Sequence, residues 1–169
     1  GGYAGINIRP VYKIKIDAYT DLFSFAWLKY RVDAPSRGQE YFLQCTYTPS
    51  KQAEVSTRFR SINKPLNNKS ADNALNEVVN FSNRSWRTQI NYQLNATWSL
   101  RQRFELLWYS GQNENPEKSF LSYFDIFFKP KMNKLSINTR LQYFESDSYN
   151  SRLYAYENDV LYYYAVPVF

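Results

Sequence analysis

Residues 85–109, SWRTQINYQLNATWSLRQRFELLWY, alternate apolar and polar side chains twice, with one short break between the two runs. A period of two is the repeat of a β-strand, whose successive side chains point to opposite faces. Trp86, Thr88, Ile90, Tyr92 and Leu94 share one face of the first run, opposite Ser85, Arg87, Gln89, Asn91 and Gln93. In the second run Leu100, Phe104, Leu106 and Trp108 share a face, with Gln102 the exception, opposite Arg101, Arg103 and Glu105. Residues 95–98 leave room for only a tight connection, so the runs are predicted to pair as an antiparallel hairpin. Each run is about ten to twelve residues long, roughly twice a globular strand and close to the ~9–11 that a tilted strand needs to cross a bilayer. Trp86, Trp98 and Trp108 lie on the apolar face towards the run ends, where membrane barrels carry aromatic girdles. A long hairpin in a soluble sandwich or lipocalin-like barrel has the same pattern, so the remaining chain must discriminate.

The alternation recurs. Further strands are predicted over 11–17, 22–32, 41–48, 54–62, 119–128, 134–144 and 152–166, making nine with the hairpin. Residues 1–10 hold glycines and a proline and read as a lead-in with at most a short strand. Short turns are predicted at 18–21, 49–52, 95–98 and 129–133. Longer polar connections are predicted at 33–40, 63–83, 111–118 and 145–151. The longest, 63–83, is rich in Asn, Lys and Ser and reads as a mobile loop, although Leu75, Val78 and Val79 have modest helical spacing within it. Short connections at one end and long ones at the other describe an up-and-down membrane barrel, a rhythm that Greek-key crossings have no reason to keep. The expectation is an all-β, antiparallel meander forming a transmembrane β-barrel. It is one domain over 1–169, with eight to ten strands visible, either whole or as part of a larger barrel, since bacterial single-chain barrels have even strand numbers.

Composition fits such strands. Aromatic residues make up 19% of the chain, yet its mean hydropathy is −0.60, as expected of strands with one apolar and one wet face. No run approaches the ~18 consecutive apolar residues of a membrane helix, so any span must be β. The lone Cys45 cannot form an internal disulfide and reads as a small apolar residue of the outer face.

The lipid-facing belt is predicted to comprise Trp86, Tyr92, Trp98, Phe104, Trp108, Phe120, Phe124, Phe128 and Tyr143. The opposite face would present Lys13, Lys15, Lys29, Arg31, Arg58, Arg60, Arg87, Arg101, Arg103 and Arg140 against Asp17, Glu54, Glu105 and Asp125, a basic lumen. Rings of Arg and Lys favour anionic solutes in a pore. The alternative is a narrow barrel closed by Arg–carboxylate pairs, through which nothing passes. With no His in the chain, the Ser-His and Asp-His arrangements of barrel hydrolases are excluded. No Cys/His cluster offers a transition-metal site and no glycine-rich phosphate loop is present, so neither enzymatic activity nor cofactor nor metal is expected. Expected partners are outer-membrane lipid, other envelope proteins and an anionic solute. Nucleic acid is not, because the aromatics lie on the face opposite the arginines. The competing expectation is a soluble lipocalin-like barrel with its faces reversed, binding an apolar ligand inside.

Towards the C-terminus three stretches carry a resemblance: SFLSYFD at 119–125, RLQYF at 140–144 and RLYAYENDVLY at 152–162. They resemble the last strands of a Bacteroidota outer-membrane barrel family often labelled helix-hairpin-helix domain proteins. The likeness is loose over 11–144 and sharper over 152–169. It implies an outer-membrane location and a barrel without assigned enzymatic activity, and it offers no catalytic residues. The helix-hairpin-helix segment itself is lacking, so it implies no nucleic-acid role. Members of that family continue past the position of Phe169, which implies a portion of a larger barrel.

Overall fold

The computed structural model describes residues 1–68, 77–111, 115–132 and 135–157. Eight antiparallel strands form one sheet: β1 (Gly2–Val11), β2 (Ile14–Phe25), β3 (Ser36–Ser50), β4 (Ala53–Asn68), β5 (Glu77–Gln93), β6 (Trp98–Ser110), β7 (Glu117–Phe128) and β8 (Ile137–Ser146). Each pairs with the next in sequence, so the topology is a meander; among the described residues β1 and β8 do not pair and the sheet is open. A 3-10 turn, Tyr149–Ser151, follows β8.

Residues directly opposite each other in an antiparallel ladder share a face, so register carries the alternation across the whole sheet. One row runs Asp17, Gln44, Arg58, Arg87, Glu105 and Leu121. The neighbouring row runs Ala18, Leu43, Phe59, Trp86, Leu106 and Phe120 and points the other way. We call the first face inner, because residues 151–157 lie across it. Burial is the inverse of a soluble sheet. On the inner face Arg103, Glu105 and Asp125 retain 6%, 4% and 0% of their exposure, while Leu43 and Leu141 on the outer face retain 50% and 77%. The small apolar core is also inner, where Leu153 and Ala155 pack on Leu107, Leu121 and Tyr123 of β6 and β7.

Strand limits depart from expectation in four places. The turn predicted at 18–21 is the middle of β2, where Ala18 pairs with Ile6 and Leu43, and Tyr19 with Gly5 and Phe42. The actual turn is at Tyr12 and Lys13. Just before it the ladder shifts between Ile8 and Val11, where Pro10 has no N–H to give. The lead-in is therefore a full edge strand, β1.

The strand predicted over 22–32 ends at Phe25. Lys29 and Val32 exchange backbone hydrogen bonds of 3.2 and 2.9 Å, closing a tight turn in which Arg31 takes φ 64°. This connection docks on the far end of β4, Asn67 N–H donating to the Arg31 carbonyl at 2.9 Å. Strand β3 then starts at Ser36, inside the predicted 33–40 loop. Gly38 permits a close approach there, since a Cβ would meet the Phe23 ring and stand 2.7 Å from the Asn63 carbonyl oxygen.

The 63–83 loop is mostly ladder, Asn63 to Asn68 pairing with Ser82 to Glu77. Of the weak helical stretch at 73–80, residues 73–76 lie outside the described residues and 77–80 belong to β5. Finally, the described part of the strand predicted over 152–166 does not extend the sheet beside β8; it turns over the inner face, and 158–166 lies outside the described residues.

Candidate functional site: the inner face

Three carboxylates organise this face, each held by at least one guanidinium group from a neighbouring strand. Asp125 on β7 accepts from Arg140 Nε at 2.6 Å and Nη2 at 2.8 Å, and Arg101 on β6 stands 3.9 Å away. Arg140 also stacks 4.0 Å from the Tyr123 ring centroid and donates to the Tyr156 carbonyl at 2.8 Å. Glu105 pairs with Arg87 at 2.7 Å and with Arg103 two residues along its own strand. Arg103 donates in turn to the Tyr154 carbonyl at 3.2 Å. Glu40 takes Arg60 at 2.8 Å and the Tyr19 hydroxyl at 2.5 Å. A buried ion costs several kcal/mol in desolvation unless paired and hydrogen-bonded, and these forked contacts offset that cost.

Two arginines thus join the sheet to the segment over it. Ser119 adds a third link, its hydroxyl donating to Ser151 Oγ at 2.9 Å.

Of the predicted lumen cations, Arg58, Arg60, Arg87, Arg101, Arg103 and Arg140 share the inner face by register. Lys29 and Arg31 do not: they sit in the β2–β3 connection, Lys29 Nζ 4.0 Å from the Phe25 ring centroid and Arg31 against Tyr30. Lys13 is in the β1–β2 turn. The acids Asp21, Glu40 and Glu117 also face inward, and were missed because 18–21, 33–40 and 111–118 read as connections. Among the described side chains that register assigns to it, the inner face carries Lys15, Arg58, Arg60, Lys64, Arg87, Arg101, Arg103 and Arg140 against Asp17, Asp21, Glu40, Glu54, Glu105, Glu117 and Asp125. That near-balance replaces the predicted excess. What survives is local: positive charge is concentrated where β4, β5 and β6 meet.

No family model, curated protein or solved structure matches this chain. Its chemistry has to be read from its own side chains.

The predicted belt residues Trp86, Tyr92, Trp98, Phe104, Trp108, Phe120, Phe124, Phe128 and Tyr143 all lie on the outer face. They do not all form girdles. Trp98 and Phe128 touch at 4.6 Å between centroids at the end of the sheet carrying the 51–52 and 94–97 turns, next to Tyr92. Trp108 and Phe120 lie towards the opposite end. Trp86, Phe104 and Phe124 occupy mid-strand, and the Trp86 indole donates to Thr57 Oγ1 at 2.9 Å.

Among the described residues no group of three His, Cys, Asp or Glu side chains could hold a metal ion. The hydroxyls of Ser119, Ser146 and Ser151 bond to one another at 2.9 to 3.3 Å, with no imidazole to activate them. The inner face can pair, orient and attract charge. A cleft of about 430 Å³ opens on it between Tyr19, Phe42, Arg58 and Arg87 of the sheet and Arg152 to Tyr154 of the overlying segment.

Proposed function

We propose that this chain builds the wall of a Gram-negative outer-membrane β-barrel and acts as a passive pore or as a structural subunit of an envelope assembly, without catalysis. One observation carries this: a single apolar face stays exposed on seven of the eight strands and half-buried on β7, while the charged side chains pair on the other. Ile6, Leu22, Tyr41, Phe59, Ile90, Phe104 and Leu141 all remain exposed on it. Soluble monomers rarely expose apolar patches beyond a few hundred Å², whereas a barrel wall needs such a face towards lipid. Membership of the Bacteroidota barrel family belongs to the same proposal and rests on the sequence resemblance.

A place in lipid imposes one more condition. Unpaired backbone groups are not tolerated in the hydrocarbon region, so the free edges of β1 and β8 must be met there, by each other, by further strands or by another envelope protein. The soluble lipocalin-like alternative needs the apolar residues on the covered face, and the burial runs the opposite way.

The test is reconstitution into planar bilayers under a salt gradient. A pore gives discrete conductance steps whose reversal potential favours anions; a scaffold inserts and gives none. Protein that stays monomeric in buffer without detergent contradicts both forms.

A further inference from the structure

We infer that the cleft between β2–β6 and residues 152–154 is a binding subsite for an amphipathic oxyanion, a carboxylate or phosphate monoester carried on an aromatic or short aliphatic body. The inference rests on the proposed function in taking the polar face as the one that meets solute.

The charge pattern is what pairing alone does not explain. Arg58 and Arg87 stand directly opposite each other across the β4–β5 ladder, an arrangement of like charges that destabilises a sheet. Arg87 is compensated by Glu105, which already serves Arg103, and Arg60 is compensated by Glu40. Among the described residues Arg58 has no carboxylate within ion-pair distance. The Nε of Arg87 is buried without an acceptor. Arg152 enters from the overlying segment, held by the Tyr154 hydroxyl at 2.6 Å and the Tyr149 carbonyl at 2.9 Å. The cleft walls therefore carry four guanidinium groups and one carboxylate that is already engaged. Planar forks of this kind match carboxylate and phosphate oxygens in pairs.

The remaining wall is apolar, which selects the rest of the ligand. Tyr19 and Phe42 stack at 4.8 Å with their planes 10° apart, and Leu107 and Leu153 close the other side. An inorganic anion would leave these surfaces wet, whereas a ring or short chain attached to the anion would cover them.

The experiment is fluorine NMR of 4-fluorophenyl phosphate titrated into the full chain in detergent micelles. Saturable binding is expected, weakened about tenfold or more by Arg58→Gln, the loss of a charge-assisted hydrogen bond. Neutral 4-fluorophenol should bind far more weakly, and inorganic phosphate should compete only weakly. Lys15→Gln, on the same face but paired with Asp17 away from the cleft, should stay within about twofold. Arg58→Lys keeps the charge and loses the fork; it should weaken binding severalfold, and it decides the matter if the Gln variant does not fold. Absence of saturable binding, equal binding of the phenol, or affinity indifferent to both Arg58 variants overturns the inference. Because micelles are used throughout, those results leave bilayer insertion standing, and protein that binds the probe yet stays monomeric in buffer without detergent overturns the barrel proposal alone.

Discussion

Asp125 has no solvent exposure and faces Arg140 directly across the β7–β8 ladder, receiving two hydrogen bonds of 2.6 and 2.8 Å from its guanidinium. The pair anchors β8 and, through Arg140 to the Tyr156 carbonyl, the overlying segment as well. Asp125→Ala is expected to destabilise the folded chain by about 3–5 kcal/mol, since Arg140 and Arg101 are left facing each other unpaired. Arg140→Leu should act similarly by stranding the carboxylate. The double variant should lose less than the sum, because of the three charges only Arg101, the most exposed of them, is left without its partner. Urea unfolding in lipid vesicles, followed by tryptophan fluorescence, measures all three.

The two faces are expected to respond oppositely to added charge. Phe104 lies mid-strand on the outer face, opposite Thr88 and Ser122. Phe104→Arg should cost about 2–4 kcal/mol in lipid, as for a charge near the middle of a barrel's apolar band. Ser56 faces inward, opposite Thr46 and Gln89, and Ser56→Lys should change stability by well under ~1 kcal/mol. The same unfolding assay compares them, and equal costs would speak against the assignment of faces.

How far the sequence could be read depended on what each alternation lay against. Period two sorted 54–62 of β4, 85–93 of β5, and β6 to β8 into the same two faces as the ladder does, because the residues there follow one unbroken register. It misplaced β1 and β2, since Gly1, Gly2, Gly5 and Pro10 resemble a loop, and Ala18 to Asp21 resemble a turn, until the pairing partners Ala4, Gly5, Leu43 and Phe42 are known. A turn there also hid Tyr19, which proves to line the cleft with Arg152. Residues 151–155 alternate as a strand does, yet Ser151, Leu153 and Ala155 are buried against the inner face instead of a ninth strand position. Alternation reports two unlike sides of an extended chain; it does not say what covers either side. The inward excess of positive charge was overstated for a related reason, as Glu40 and Asp21 were assigned to connections and never counted.

Ala155 is completely buried in that inner cluster. Ala155→Arg cannot be accommodated there and should lift residues 151–157 away while β6 and β7 stay paired. Limited proteolysis should then cut near Arg152 in the variant and not in the parent, with the β-sheet circular dichroism unchanged. A variant as resistant as the parent would mean that the segment is not held by this packing.

Gly38 offers a steric test of the β2–β3–β4 register. Gly38→Ala is expected to cost about 1–3 kcal/mol, as overpacking does, because the added methyl meets both the Phe23 ring and the Asn63 carbonyl oxygen. Combining it with Phe23→Ala should recover part of that loss in the same assay, since only the backbone contact remains.

The most direct test of the central claim, an outer face in lipid and an inner face in water, uses spin labels at positions 89 and 90. Gln89 and Ile90 are neighbours on β5, one sharing the inner row of Arg103 and the other paired with Gln102 on the outer face. Each is changed to Cys in a Cys45→Ser background and labelled, and the protein is reconstituted in lipid and probed with oxygen and a polar nickel reagent. The barrel account predicts that the label at 90 is relaxed by oxygen and the label at 89 by nickel. A label at 90 shielded from both reagents, in protein that stays in solution without detergent, would contradict it.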